Sequence, residues 1–314
     1  MLSRTITQGL CFTHRREFLI FMKNTSPPQD DIKLDAGPHG VLMLHGLGAN
    51  SLELDGLARH LHQRGFSVLV PYIDHYSFGS HAGTWPQWLE AAQERYWELK
   101  ARCETVSVVG LSMGATLALA LASKEKPTAV VALSTCLAYN GWAIPFYSFL
   151  LRLAPYFPFL QKYRFDEAEP FGIKNEQMRA RVKRALAQDH IAESGADALS
   201  YTQISQGIAL VDEVWENLEE INSPLLFIHA ADDETAHPIS VEKAMRQIRS
   251  KIKRLHLLGD CYHMITVDNE RDTVNHETCF FLQQQINAAQ EKPVFDFPPI
   301  LLPELRRLLR MGGG

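Results

Sequence analysis

Gly110-Leu111-Ser112-Met113-Gly114 stands between an apolar run, Thr105-Val106-Ser107-Val108-Val109, and a small-residue stretch, Ala115-Thr116-Leu117-Ala118-Leu119-Ala120. Strand, sharp turn, helix is the context in which a G-x-S-x-G sequence becomes an elbow that lifts a serine clear of a sheet. Such a turn holds the serine in a strained backbone conformation. A Cβ at either flanking position would collide with the strand or the helix, so glycine is needed at both. Without those flanks the five residues would be equally at home in an ordinary loop; with them, Ser112 is a candidate nucleophile and the Met113 N–H points where a substrate would lie.

The surrounding pattern agrees with such a turn. Val41-Leu42-Met43-Leu44-His45 is a continuous apolar run stopped by Gly46, as expected of a strand buried on both faces. A helix is predicted over Leu52 to Arg64, stopped by Gly65. A strand at Ser67–Val70, a helix around Trp85–Arg102 and the elbow strand follow. Beyond the elbow helix come strands at Ala129–Leu133 and Leu225–His229, a helix near Val241–Lys251, a strand at Arg254–Leu258 and a last helix over Asp272–Ala289. Alternating strands and helices with buried strands imply an α/β protein with a mostly parallel sheet covered on both sides.

One interval breaks the alternation. Roughly ninety residues separate Ser134 from Leu225, too many for a loop inside a compact domain, so a helical cap is expected there. Its first part is rich in aromatic residues, from Tyr139 to Phe165, punctuated by Pro145, Pro155 and Pro158. These rings either fill a core between cap and sheet or form an acyl pocket and an apolar face for lipid; Trp142, Phe146 and Phe149 are the candidate pocket residues. Gln177–Gln188 and Ile208–Glu220 have the pattern of amphipathic helices. The expected organisation is a flexible segment over 1–30, a sheet body over 31–135 and 222–290, the cap over 136–221 and a C-terminal extension over 291–314. In that extension Leu301–Arg310 has the pattern of a short amphipathic helix. Arg4, His14, Arg15, Arg16 and Lys23 weakly suggest a transit peptide, but Phe18–Met22 is too short for a secretory core, and a start at Met22 is the plainer expectation.

Composition removes several function classes. With 31 basic against 36 acidic residues the charge is nearly balanced, which gives no ground for a nucleic-acid partner. No apolar run approaches the roughly 20 residues of a membrane span. Cys11, Cys103, Cys136, Cys261 and Cys279 are odd in number and lack metal-ligand spacing, so reduced thiols in a cytoplasmic protein are expected, with no metal or cofactor. Nothing in the sequence speaks to an oligomeric state.

A serine hydroxyl needs a base within hydrogen-bond reach, and the base needs an acid to fix its tautomer. In an α/β sheet these groups gather at the carboxyl ends of the strands, in the order Ser, acid, His. Two loops qualify. Ala230-Ala231-Asp232-Asp233-Glu234-Thr235-Ala236-His237-Pro238 offers the acid, Asp232 or Asp233. Gly259-Asp260-Cys261-Tyr262-His263-Met264 offers His263 as the base. An oxyanion hole requires a second N–H from the loop after the first buried strand, which assigns the backbone of Leu47, in His45-Gly46-Leu47-Gly48, as partner to that of Met113. The His45 side chain fits better as a buried tie between loops than as an acid or base.

With these residues in place, the chain resembles the α/β-hydrolases. It is most similar to the small bacterial carboxylesterases that group with monoacylglycerol lipases. The resemblance rests on His45-Gly46-Leu47-Gly48, the elbow, Asp233 five residues before Pro238, and His263-Met264-Ile265-Thr266-Val267-Asp268, and it covers roughly residues 38–135 and 222–287. It implies the α/β-hydrolase fold and favours Asp233 over Asp232 as the acid. Two departures touch the region of the site: Gly114-Ala115 where many relatives have Gly-Gly, and Phe78-Gly79-Ser80-His81-Ala82-Gly83 where a Gly-His-Gly is common.

The expected activity is hydrolysis of a small-molecule carboxylic ester with an apolar acyl or alcohol part, by way of an acyl-enzyme on Ser112. Contact with lipid would come through the cap. An acyltransferase or thioesterase with the same residues is the first alternative, and a binding protein with an idle pocket is the second.

Overall fold

In a computed structural model of the chain, residues 30–141, 164–165, 169–188 and 199–291 are described. The candidate pocket residues Trp142, Phe146 and Phe149 lie outside them, as do most of the proline-rich aromatic segment, the first 29 residues and the C-terminal helix expected over 301–310.

Seven strands form the sheet: β1 (Ile32–Leu34), β2 (His39–Leu44), β3 (Phe66–Val70), β4 (Thr105–Leu111), β5 (Val130–Leu133), β8 (Leu225–Ala230) and β9 (Lys253–Leu258). Their spatial order is β1-β3-β2-β4-β5-β8-β9. All neighbours are parallel except β1, which runs antiparallel to β3 at one edge. The helices are α1 (Asp55–Gln63), α2 (Trp85–Lys100), α3 (Met113–Lys124), α4 (Glu176–Gln188), α5 (Tyr201–Asn217), α6 (Ile239–Gln247) and α7 (Arg271–Ala289). This is the α/β-hydrolase fold that the motifs implied.

Strand side chains alternate in direction, so one run of apolar residues serves two cores. Leu42, Leu44, Val106, Val108, Val130, Ala132 and Phe227 face α2, α3, α5 and α6. Val41, Met43, Val109, Leu111, Val131, Leu226 and Ile228 face α1 and α7. α3 is buried nearly all round, which explains its run of Ala and Leu: apolar side chains on every face let it lie between the sheet and α5.

Between β5 and β8 the described residues hold α4, α5 and a two-residue pair, β6 (Arg164–Phe165) and β7 (Leu199–Ser200), in antiparallel register. Sequence periodicity predicts no strand in this interval, and two residues are too few to carry one. Leu210, Val211 and Val214 of α5 share the core of α3. Among the described residues no helix is long and apolar enough to cross a membrane.

Candidate active site

β4 ends at Leu111 and α3 begins at Met113, which leaves Ser112 alone to make the turn, at φ 57° and ψ −120°. That conformation costs about 1–3 kcal/mol for a residue with a side chain, and the surroundings must over-determine it. A Cβ on Gly110 would strike the Gly114 carbonyl and lie 2.6 Å from Ala115 Cα; one on Gly114 would strike the carbonyls of Leu44 and His45. The Ser112 N–H donates to Leu133 O at 2.9 Å, and its carbonyl accepts from Ala115 N at 3.0 Å. The elbow is therefore held from the strand, the helix and the neighbouring strand at once.

The structure brings Ser112, Asp233 and His263 together from three loops. His263 Nε2 lies 2.7 Å from Ser112 Oγ. On the other side of the ring, Nδ1 lies 2.8 Å from Asp233 Oδ2 and 3.0 Å from Oδ1. A carboxylate only accepts, so Nδ1 carries a proton, and in the neutral ring Nε2 is left to accept from the serine O–H. Asp232, the other acid in the loop, instead meets Lys174 Nζ at 3.2 Å.

Asp233 is buried, and its Oδ1 also accepts from the N–H groups of Thr235 (2.9 Å) and Ala236 (2.8 Å). Burial alone would raise its pKa, but the His263 charge and the hydrogen bonds of His229 and His263 hold it well below the ordinary carboxylate range. Burial would likewise lower the His263 pKa. The facing carboxylates of Asp233, then Glu234 and Glu53, outweigh it and raise it to about 9. The pair is an ionic couple set up to stabilise an imidazolium.

At the elbow, the Met113 N–H begins a helix and has no intrahelical partner. Among the described residues the Leu47 N–H likewise has no protein acceptor. The Leu47 loop is fixed from several sides. Glu53 Oε2 accepts from Gly46 N at 3.0 Å, Tyr76 O accepts from Gly48 N at 3.0 Å, and Tyr76 Oη donates to His45 O at 2.7 Å. His45 itself is fully buried, its Nδ1–H donating to Gly46 O (2.8 Å) and its Nε2 accepting from Ser77 Oγ (2.9 Å). Burial lowers its pKa to about 4, so it stays neutral and serves as a tie. α5 lies close over this corner: a Cβ on Gly207 would come 3.1 Å from Met113 Cε and 3.5 Å from Leu47 Cδ2.

Three side chains at the site go beyond the sequence-based assignment. His229, at the end of β8, places Nε2 3.2 Å from Asp233 Oδ2 and 2.7 Å from Ala236 O. Glu234 Oε2 accepts the His263 N–H at 3.0 Å, and burial pushes its own pKa up. Asp268 accepts the Tyr262 N–H at 2.9 Å. Only Asp268 had a usable signal, its fixed distance from His263. Among the described residues no cluster of three or more His, Cys, Asp or Glu side chains is arranged to hold a metal ion.

The profile of the family described as serine aminopeptidase, S33, matches residues 38–271, a span that runs from β2 through the His263 loop. This chain belongs to that family. As a member of a serine hydrolase family it has relatives with named activities. A carboxylesterase of Bacillus subtilis (strain 168) is 21% identical over 84% of this chain and 99% of its own length. A thermostable monoacylglycerol lipase of Bacillus sp. (strain H-257) is 24% identical over 76% of this chain and 88% of its own. Among solved structures, one described under two metagenome-derived lipolytic enzymes, LipS and LipT, superposes with a TM-score of 0.67 at 19% identity, over 82% of this chain and 98% of that one.

Proposed function

We propose that this protein hydrolyses carboxylic esters through an acyl-enzyme intermediate on Ser112. The observation that carries the proposal is the 2.7 Å contact of Ser112 Oγ with His263 Nε2, backed by Asp233 on the opposite ring nitrogen. Ser112 attacks the ester carbonyl as His263 takes its proton. Asp233 holds the ring and stabilises the imidazolium. The oxyanion is received by the N–H groups of Leu47 and Met113; one such donor is ordinarily worth about a hundred- to a thousandfold in turnover. His263 then protonates the leaving alcohol, water attacks the acyl-enzyme with His263 as base, and Ser112 is regenerated.

An ester with an apolar acyl or alcohol part is the substrate class favoured, because the curated relatives are a carboxylesterase and a monoacylglycerol lipase. The family description also names a peptidase, so amides belong in the test. Hydrolysis of p-nitrophenyl esters from acetate to palmitate, alongside matched p-nitroanilides, is to be compared between wild type and Ser112→Ala. Ester cleavage that Ser112→Ala abolishes, with anilides untouched, is the expected result. Anilide turnover exceeding ester turnover, or ester turnover that survives the substitution, would overturn the proposal.

A further inference from the structure

The loop that carries His263 runs from Gly259 to Glu270, between β9 and α7, without regular secondary structure. A base that must sit within hydrogen-bond reach of both Ser112 and Asp233 therefore depends on what fixes this loop. Three consecutive N–H groups do so, each on a different partner. Tyr262 N donates to Asp268 Oδ2 at 2.9 Å, His263 N to Glu234 Oε2 at 3.0 Å, and Met264 N to Gly172 O at 2.8 Å.

Asp268 is the group that links two of these anchors. The residue is 1% exposed, and its carboxylate accepts four backbone N–H groups. Oδ2 takes Tyr262 N (2.9 Å) and Lys174 N (2.7 Å); Oδ1 takes Asn175 N (2.9 Å) and Asn269 N (2.9 Å). Lys174 and Asn175 follow directly on Gly172 and Ile173, so the carboxylate that holds the residue before His263 also holds the segment whose carbonyl holds the residue after it. The approach is close: a Cβ on Gly172, which sits at φ 69°, would fall 2.7 Å from Met264 Cγ. Asn175 Nδ2 adds a bond to Asn269 Oδ1 at 2.6 Å. Lys174 Nζ reaches Asp232 Oδ2 and Gly259 O, both at 3.2 Å.

Resting on the ester-hydrolase reading above, we infer that Asp268 is a positioning residue. It clamps residues 172–175 to the histidine loop, so that the His263 ring keeps its place between Ser112 and Asp233. A buried carboxylate suits this task because each oxygen accepts two N–H groups along separate lone-pair directions, and charge-assisted bonds to backbone are the stronger kind. An amide at the same position is a poor substitute. Its nitrogen has no acceptor to offer and would face two N–H donors. The clamp acts at the entry to α4, outside the residues that touch the reacting atoms, so its effect must pass through His263.

Asp268→Asn tests this on the full chain. Loss of the clamp lets the base drift, and a displacement of about 1 Å costs around a hundredfold in rate. The expected result is a ten- to hundredfold fall in kcat on a p-nitrophenyl ester with KM within twofold. The rate of inactivation by a fluorophosphonate should fall by the same factor. Wild-type kcat and wild-type inactivation rate, with only a lowered Tm, would assign Asp268 to fold stability alone and overturn the inference. If Asp268→Asn does not fold, hydrogen exchange on the wild-type protein decides: Tyr262, Lys174 and Asn175 amides should open with one common protection factor, and unrelated rates would overturn the clamp. A fully active Asp268→Asn beside a dead Ser112→Ala removes this inference and leaves the reaction standing. An active Ser112→Ala removes the reaction first.

Discussion

His229 Nε2 lies 3.2 Å from Asp233 Oδ2, so the carboxylate that meets His263 is met by a second imidazole. The same nitrogen is 2.7 Å from Ala236 O, and both oxygens accept, so Nε2 carries the proton and divides it between them. His229→Ala should leave the Ala236 carbonyl without that donor and Asp233 one donor poorer, both in the interior. An unsatisfied buried group costs about 1–3 kcal/mol. An unfolding free energy, read from urea denaturation, lowered by that amount, with kcat reduced severalfold, is the expected outcome; an unchanged unfolding free energy would remove His229 from the support of Asp233.

Gly114 is a second point where one atom decides. Its Cα lies against the carbonyls of Leu44 and His45, and a Cβ there would meet backbone that has no freedom to yield. Gly114→Ala should therefore push the start of α3 off β2, at an overpacking cost of about 1–3 kcal/mol. At about 2–4 °C per kcal/mol for a body this size, calorimetry should show a clear drop in Tm. The folded fraction should also turn over more slowly, because the Met113 N–H moves with the helix. The gain in helix propensity on replacing glycine with alanine is smaller than the clash.

The Asp233–His263 couple fixes the sign of the pH dependence. His263 must be neutral to accept the serine proton, and its pKa is raised from the usual 6.5 to about 9. Hence kcat/KM should climb with pH, with a midpoint above 6.5. In Asp233→Asn, burial acts on the ring with far less opposition, so the midpoint should fall; the rate should drop about 10⁴-fold. Profiles with a common midpoint would show that Asp233 does not set the base.

Stability follows the same two groups in opposite directions. His263, raised, contributes stability that is complete below 6.5 and lost as pH climbs through about 9. Asp233, lowered from its usual 3.8, contributes stability present above that value and lost as pH falls through its folded pKa. The difference in urea midpoint between wild type and Asp233→Asn should be largest from about pH 5 to 6.5 and shrink on either side. A difference independent of pH would contradict the coupling.

Much of this arrangement is written in local sequence. The glycines at 110 and 114 announce a turn because no other residue fits the space, and continuous apolar runs mark strands that face two cores. What escapes is decided by partners distant in the chain. β1 is three residues, Ile32-Lys33-Leu34, stabilised as an edge by pairing with β3, and so short a run has no periodicity to detect. α5 begins at Tyr201, well before the Ile208 that periodicity suggests. Its start is set by Ser200 and Gln203, which cap it through Ser200 Oγ accepting from Gln203 N (3.2 Å) and Gln203 Oε1 accepting from Ser200 N (3.0 Å). α6 stops at Gln247 rather than Lys251, because Lys253 Nζ takes the carbonyls of Met245 and Ile248 at 2.8 and 2.7 Å. His229 is one residue in a buried strand, and nothing local distinguishes it from its apolar neighbours. The expected division into sheet body and cap remains a proposal, with α5 contributing to the body's own core.

Gly207 offers the test of how closely α5 covers the site. A Cβ there would lie 3.1 Å from Met113 Cε, 3.2 Å from Tyr139 Oη and 3.5 Å from Leu47 Cδ2. The first of these neighbours is the free end of a methionine, which can swing aside. Alanine in a helix interior is favoured over glycine by up to about 1 kcal/mol. The two effects nearly offset, so Gly207→Ala should keep its Tm within a few degrees and its kcat/KM within threefold. Gly207→Leu has no such escape. Its extra carbons must displace the Leu47 side chain, and the loop that presents the Leu47 N–H is pinned on both sides at Gly46 and Gly48. The displacement then reaches the oxyanion donor, and kcat should fall by ten- to a hundredfold, within the loss known for a missing donor. Equal kcat in Gly207→Leu and wild type, with the protein folded, would mean that α5 stands further from the elbow in solution than its seat over Met113 and Leu47 implies.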